Sequence, residues 1–267
     1  MFIDLVGFGI VIPILPLYGE RFGPSGLTLG LLMASYSAMQ FLFAPILGRI
    51  SDRVGRRPVL LISLVGSVVG YLLFGFAGSM TVLFVSRIID GISGGNIATA
   101  QAVIADITGP EDRAKGMGII GAAFGLGFIV GPAVAALLVE IQPWLPGVAA
   151  AVTSSVAFIL VFFKLPETLP PEARSTGPRP HPLSPASLRE TIGLHPLLIL
   201  CFSTVLLVIF AFSNFETTFA QFAKADHGLR VSQIGWLFVY AGVLGAIVQG
   251  GLVGRLVKIF GEKKILV

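Results

Sequence analysis

The chain has 267 residues and a net charge of +4, with 55% hydrophobic and only 12% charged residues and a mean hydropathy of +0.91. Soluble domains carry about 25% charged residues, so this chain has too few charges to cover a surface in water. The composition excludes a soluble enzyme and a disordered chain. The single cysteine, Cys201, excludes a disulfide framework and a thiolate metal site.

Seven runs without a charged residue divide the sequence, and six of them exceed the roughly 18–20 residues that a membrane-spanning helix needs. Together with the apolar segment 81–105, which contains Arg87, these runs predict eight spans. In chain order these spans are 2–18, 27–47, 58–77, 81–105, 115–139, 146–164, 196–222 and 232–254.

The basic residues are distributed unequally between the two sides of the predicted bundle. Fourteen of the 18 Lys and Arg residues follow even-numbered spans, three follow odd-numbered ones, and Arg87 lies inside a span. Because basic residues favour the cytoplasmic side, this asymmetry predicts a cytoplasmic N-terminus. It also predicts that loops 48–57, 106–115, 165–195 and 255–264 are cytoplasmic. The basic pI therefore reflects topology and does not indicate a nucleic-acid partner.

Three regions follow from the spacing of the spans. We predict that residues 1–165 form a six-helix bundle and that the proline-rich residues 166–195 form a linker. Residues 196–267 are then the first two helices of a second bundle. Residues 48–61 and 254–267 share a Gly-Arg-x5-Gly-x-basic pattern, each after the second span of its half. Such a repeat is typical of transporters built from duplicated halves. On this interpretation we expect the chain to be a fragment that lacks four further spans.

The segment after the second span, residues 48–57, is the most specific motif. Its two glycines permit a tight reversal, and its aspartate lies among arginines. A carboxylate there can pair with an arginine as a charge latch that closes a gate, with Asp106 accepting a second arginine. A simple positively charged loop is the alternative, but it leaves the aspartate and the glycines unexplained. The residues of this gating segment are Gly48, Asp52, Arg53, Gly55, Arg56 and Arg57.

The gating segment resembles the loop 2–3 signature of the major facilitator superfamily, Gly-x-Leu-x-Asp-Arg-x-Gly-Arg-Arg/Lys, with Ile50 in place of the leucine. Residues 87–91 are similar to the helix 4 signature Arg-x-x-Gln-Gly, with Asp90 in place of the glutamine. The resemblance implies a role for Arg87 in proton coupling or substrate binding. The alternatives are an arginine that reaches the membrane surface and a purely structural pair with Asp90.

The predicted fifth helix and the segment before it resemble one subfamily in particular. Gly127-x3-Gly131-Pro132 is similar to the antiporter signature GxxxGPxxGG, although alanines replace its last two glycines. Residues 104–115 and the helix 1 pattern of Asp4 followed by two prolines resemble drug/proton antiporters of the tetracycline-efflux type. This resemblance implies that Gly127, Gly131 and Pro132 form a hinge. Close helix packing is the alternative for glycines in general.

Carboxylates within spans are candidates for proton coupling, because a charge at membrane depth is costly. Asp4 is the first candidate and Asp90 the second, since Arg87 one turn away should keep Asp90 ionised. Asp4 is alternatively a helix-start carboxylate in contact with water. Glu216 either lines the cavity or lies near its mouth. Gln40 and Asn96 either bind substrate or make hydrogen bonds between helices.

These observations predict an all-α integral membrane protein with the major facilitator fold. We expect a proton-coupled transporter, not an enzyme, that exports a small amphipathic drug by antiport with alternating access. The sequence contains no phosphate-binding GxxxxGK[ST] motif and implies no cofactor. The expected partners are the small-molecule substrate, protons and lipid, with a monomer in a bacterial inner membrane. Proton-coupled metabolite uptake and a non-transporting membrane sensor remain alternatives.

Overall fold

The computed structural model describes residues 1–109, 112–174 and 197–248, without the side chains of 113–115, 117, 197–198 and 216–217. The described residues form α-helices and two short 3-10 turns, with no β-strand among them, which confirms the predicted all-α class. The helices are α1 (Phe2–Val11), α2 (Leu15–Gly19), α3 (Gly26–Val54), α4 (Arg56–Gly75), α5 (Met80–Gly94), α6 (Asn96–Ile107), α7 (Arg113–Val139), α8 (Leu145–Lys164), α9 (Leu197–His227) and α10 (Val231–Ile247).

The first predicted span is two helices rather than one. α1 ends at Val11, and α2 together with the 3-10 turn Glu20–Phe22 continues at an angle of 44° to it. Pro13 and Pro16 explain the break, because a proline inside a helix has no N–H for the hydrogen bond to the preceding turn. The two pieces are long and apolar enough to cross a membrane as one bent span.

The gating segment is not a loop, as the sequence suggested, but the end of one helix and the start of the next. α3 begins where Ser25 accepts a hydrogen bond from the backbone N–H of Thr28 (3.2 Å), and it runs on to Val54. Gly55 alone separates it from α4, with φ +111° and ψ 158°. This conformation is essentially restricted to glycine, so Gly55 allows the chain to reverse within one residue.

The fourth predicted span is also divided, into α5 and α6 on either side of Gly95. A Cβ added at Gly95 would lie 2.9 Å from the backbone nitrogen of Ala44 and one at Gly91 2.5 Å from the Tyr36 carbonyl oxygen. The small residues of α5 therefore let α3 approach closely, as predicted.

Most of the described helices pack against two or more others. α1 packs against α7 and α8, and α4 packs against α5 and α8, while α10 packs against α7. Five single helices are long and apolar enough to cross a membrane: α3, α4, α8, residues 118–139 of α7, and residues 199–227 of α9. Many of their apolar side chains point outward, Leu206 with 69% of its surface exposed. Such an apolar surface is typical of a membrane protein.

Two predicted features lie outside the described residues. The second copy of the repeat, 254–267, is one, and most of the linker, 175–195, is the other. The start of the linker is described, with a 3-10 turn over Pro171–Ala173. The predicted eighth span is described from Val231 to Ile247.

Candidate functional site

A fully buried ion pair lies on α5. Nη1 of Arg87 is 3.2 Å from Oδ2 of Asp90, and the two side chains are 2% and 1% exposed. The residues are three apart and so share one helix face, which agrees with the predicted pair. The guanidinium also lies over the rings of Phe74 (5.3 Å) and Tyr71 (6.0 Å). A charge at this depth is held by its counter-ion and by the aromatic faces of α4.

Arg87 lines a central cavity of about 460 Å³ that lies between α1, α3, α5 and α9. The remaining walls are aromatic, apolar and hydroxyl-bearing. Phe8 and Tyr36 form one side with their rings 5.1 Å apart, and Ser213, Thr218 and Gln221 of α9 form another. This size and lining suit a small organic ligand.

Asp4 lies apart from Arg87, in a different cavity of about 300 Å³ between α1, α4, α6 and α8. Oδ1 of Asp4 accepts a hydrogen bond of 2.8 Å from Ser154 of α8, and Asn96 lines the same cavity. The sequence placed both residues in helices beside the substrate cavity. The helix of Asp4, α1, contributes to the central cavity and that of Asn96, α6, does not, and neither side chain is among those that line it.

Gln40, another candidate ligand, is not among the described residues that line the central cavity. Nε2 of Gln40 donates to the carbonyl oxygen of Gly94 (3.1 Å) and to the hydroxyl of Tyr36 (3.2 Å), which ties α3 to α5. This is the interhelical hydrogen bond that the sequence left open as the alternative to substrate binding. Glu216 belongs to α9, and its side chain lies outside the described residues.

The predicted latch residues meet at one end of the bundle, which we call the basic end and define by Asp52, Arg56 and Asp106. Nη1 of Arg56 is 2.5 Å from Oδ1 of Asp52 and 2.8 Å from the Ser51 hydroxyl. Nε of Arg56 donates to Oδ2 of Asp106 at 3.1 Å. Arg56 therefore joins α3, α4 and α6 by charge-assisted hydrogen bonds. Arg53, the other predicted partner, is exposed.

Glu167, three residues beyond α8, completes the basic end and was missed by the sequence analysis. Its carboxylate accepts hydrogen bonds from the backbone N–H groups of Arg56 (2.8 Å) and Arg57 (3.2 Å) at the start of α4. A Cβ at Gly55 would lie only 2.4 Å from Oε2 of Glu167. Besides its positive φ, Gly55 thus provides the space in which this carboxylate caps α4.

The hydrogen bonds of Glu167 change its acidity. Partial burial acts to raise the pKa of this carboxyl, but the backbone N–H groups of Leu169, Arg56 and Arg57 outweigh it. The pKa therefore lies below its ordinary value of 4.5. The sequence offered no signal that singles it out, because loop 165–195 contains three glutamates and three arginines. Thr168 adds a hydrogen bond of 3.3 Å to Asp106.

Arg57 and Gly48 support the basic end by packing. The guanidinium of Arg57 lies over the ring of Phe162 (5.5 Å) and donates to the carbonyl oxygen of the same residue (2.5 Å). Gly48 faces Ala98, whose Cβ would be 4.0 Å from a Cβ placed on the glycine. These contacts hold α4 to α8 and α3 to α6.

The glycines of α7 bring backbones into contact. A Cβ at Gly131 would lie 2.4 Å from the carbonyl carbon of Gly9, and one at Gly127 would lie 3.0 Å from Leu5. The helix is continuous through Pro132 from Arg113 to Val139. The opposite side of α7 receives α10, where a Cβ at Gly235 would lie 3.1 Å from the Pro132 carbonyl oxygen. Close packing accounts for these positions, and the hinge role implied by the resemblance remains a proposal.

Comparison with known proteins identifies the family. The Major Facilitator Superfamily profile matches residues 1–267. The chain belongs to the Major Facilitator Superfamily. It is 33% identical over 272 residues to the class D tetracycline resistance protein of Salmonella ordonez, covering 99% of this chain and 67% of that protein. It is 35% identical over 268 residues to the class B protein of Escherichia coli, covering 98% and 65%.

Solved structures agree with this membership. The human organic anion transporter MFSD10 (TETRAN) superposes with a TM-score of 0.71 at 29% identity, covering 96% of this chain and 70% of that one. The chain thus spans about two thirds of the length of the relatives that it matches. The predicted family and fold are confirmed.

Proposed function

We propose that the protein is a proton-coupled transporter that exports small amphipathic drug-like compounds by antiport. The central cavity beside the buried Arg87 carries this proposal, because an intramembrane charge that lines a cavity marks a substrate or ion pathway. The tetracycline resistance relatives supply the drug class. The cavity lies between the bundle of residues 1–165 and α9 of the second bundle, which begins at residue 196 after the linker 166–195. Rocking of the two bundles about it would give alternating access.

Asp4 is the proposed proton carrier. It is held by Ser154 in a largely apolar cavity that is separate from the Arg87–Asp90 pair, so no described arginine forms an ion pair with it. An intramembrane carboxylate that is not tied up in an ion pair with an arginine suits a proton relay. Asp90 keeps its counter-ion and serves to position Arg87.

The basic end is the proposed cytoplasmic gate of a bacterial inner-membrane protein that acts as a monomer. Asp52, Arg56 and Asp106 lock α3, α4 and α6 together there, and Glu167 adds the start of the linker. The excess of basic residues on this side supports a cytoplasmic orientation, including that of the N-terminus.

The test of antiport is the direction of proton flow. The 267-residue protein is reconstituted into vesicles with an acidic lumen, and tetracycline is added outside while a lumenal pH dye is read. Antiport predicts that the drug enters as protons leave, so that the lumen becomes less acidic. No drug-dependent proton movement would reject coupling and favour a sensor. Proton movement in the same direction as the solute would favour the uptake carrier.

Replacing the carrier refines this test. Asp4→Asn should abolish drug-dependent proton release while drug binding persists, whereas Asp226→Asn, which changes an exposed carboxylate on α9, should leave both intact. Unchanged proton release in Asp4→Asn would move the role to Asp90 or Glu216. Loss of binding alone would make Asp4 a substrate ligand.

A further inference from the structure

The described part of the central cavity's lining carries charge of one sign only. Among its described lining side chains, Arg87 is the one that carries a formal charge. Its partner Asp90 is not a lining residue and packs towards α4, where a Cβ at Gly70 would lie 3.0 Å from the Asp90 Cβ. Asp4 lines the second cavity. The described wall therefore presents a cation to a ligand while the counter-ion faces away from it.

The guanidinium of Arg87 has an unused donor. Nη1 faces Asp90 at 3.2 Å and Nε donates to the Ser86 hydroxyl at 3.3 Å. Nη2 is buried and has no hydrogen-bond partner among the described residues. Leaving a buried charged donor unpaired costs more than the roughly 1–3 kcal/mol of a neutral one. A ligand acceptor at Nη2 would remove this cost without displacing Asp90 from Nη1.

The rest of the wall suits the apolar part of such a ligand. The rings of Phe8 and Tyr36 face each other at 5.1 Å, and Leu29 and Met33 continue the apolar surface. The volume of about 460 Å³ holds a two-ring compound with its substituents.

We propose that the central cavity selects amphipathic organic anions, with a carboxylate or comparable anionic oxygen on Nη2 of Arg87 and an aromatic frame against Phe8 and Tyr36. The proposal rests on the proposed function in taking this cavity as the substrate site. It adds the charge of the ligand, and it gives Asp4 no part in ligand binding.

The experiment measures binding of three matched probes to the purified 267-residue protein in lipid nanodiscs by titration calorimetry. The probes are 1-naphthaleneacetate, its neutral primary amide, and the 1-naphthylmethylammonium cation. A charge-assisted bond to Arg87 should make the carboxylate bind about 10–100 times more tightly than the amide. The cation should bind most weakly.

Variants separate the proposed contact from a structural role. Arg87→Gln should remove the preference for the carboxylate, and Arg21→Gln, at an exposed arginine outside the cavity, should keep it. Because Arg87→Gln leaves Asp90 buried without its partner, the double variant Arg87→Gln/Asp90→Asn is measured as well. Asp90→Asn alone frees Nη1 and should retain or strengthen carboxylate binding.

Two outcomes would overturn the proposal. One is a carboxylate that binds no more tightly than the amide, including no binding of either. The other is an undiminished carboxylate preference in the folded double variant. The readout is independent of the proton-release assay. Carboxylate-selective binding without proton release would reject the proposed transport but support the anion site. Proton-coupled tetracycline export without carboxylate selectivity would support the proposed transport but reject the anion site.

Discussion

At the scale of single residues, the basic end shows how different roles are divided among similar side chains. Arg53 and Arg56 belong to one motif, yet Arg53 is exposed while Arg56 is buried between two carboxylates. The sequence predicted Asp52, Arg56 and Asp106, because charge and spacing are visible in it, but it missed Glu167. It did not single out Arg56 as the central residue, because the choice depends on the reversal at Gly55 and on where α6 ends.

We therefore expect Arg56→Gln to depress drug transport far more than Arg53→Gln. The buried change leaves Asp52 and Asp106 without their shared cation, whereas the exposed change removes a solvated charge. Vesicle uptake normalised to the amount of folded protein measures the effect. Equal losses in the two variants would reduce the motif to a topology signal.

Gly55 can be tested against a second glycine of positive φ. Gly55→Ala should destabilise the protein by clearly more than the roughly 1–3 kcal/mol of backbone strain, because the new Cβ would meet Glu167. At Gly23 (φ +59°) nothing lies within 4 Å of a Cβ, so Gly23→Ala should show only the smaller strain of the left-handed α region. Melting temperatures in detergent compare them. In the double variant Gly55→Ala/Glu167→Ala, the loss of stability should be smaller than the sum of the losses in the two single variants. A loss equal to that sum would contradict the proposed contact.

Glu167 also predicts a pH dependence. Its pKa is lowered in the folded protein, so its contribution to stability is fully present above the unfolded-state pKa and is lost as the pH falls through the lower folded-state value. The difference in melting temperature between the native protein and Glu167→Gln should stay constant from pH 8 down to about 5 and then shrink. A difference that grows on acidification would refute the capping role.

At the scale of helices, the sequence predicted where the spans lie better than it predicted where a span is interrupted. Spans were found because hydrophobic length is a local property. The breaks at Pro13 and Gly95 were not predicted as helix ends, since prolines and glycines are tolerated within membrane helices when neighbouring helices compensate. Whether a given one interrupts a helix depends on the packing around it, as the approach of α3 to Gly95 shows.

Two glycines of α7 provide an internal comparison at this scale. Gly131→Ala would place a methyl group against the backbone of Gly9, so it should cost about 1–3 kcal/mol of overpacking. Gly125 has open space around its Cβ position, so Gly125→Ala should be neutral or slightly stabilising because alanine favours helix. Thermal unfolding in detergent distinguishes the two, and similar melting temperatures would show that α1 and α7 are not in backbone contact.

At the scale of the whole molecule, orientation is the property most in need of a direct measurement. Ser51, an obvious labelling position by sequence, is fully buried and hydrogen-bonded to Arg56, so it suits no accessibility probe. Arg53 and Glu172 are exposed at the basic end, and Gly78 is exposed between α4 and α5.

With Cys201 replaced by serine, Arg53→Cys and Glu172→Cys should react with an impermeant thiol reagent only after sealed cells are opened. Gly78→Cys should react in intact cells, because it lies across one span from the basic end. Reaction of Arg53→Cys in intact cells would invert the proposed orientation and place the gate outside.

The two faces of α7 have different mechanical consequences. Towards α1, backbone meets backbone at Gly9 and Gly131, so no change of side-chain rotamer can absorb a shift, and the two helices should move as one stiff unit. Towards α10, the glycines at 235 and 242 present a smooth strip to the side chains of Ala136 and Ile129. Because glycine has no side chain to interlock with its neighbours, that strip should resist sliding less than a row of larger side chains would. A stiff contact on one face and a smooth one on the other would let the second bundle tilt against the first without breaking the first one apart.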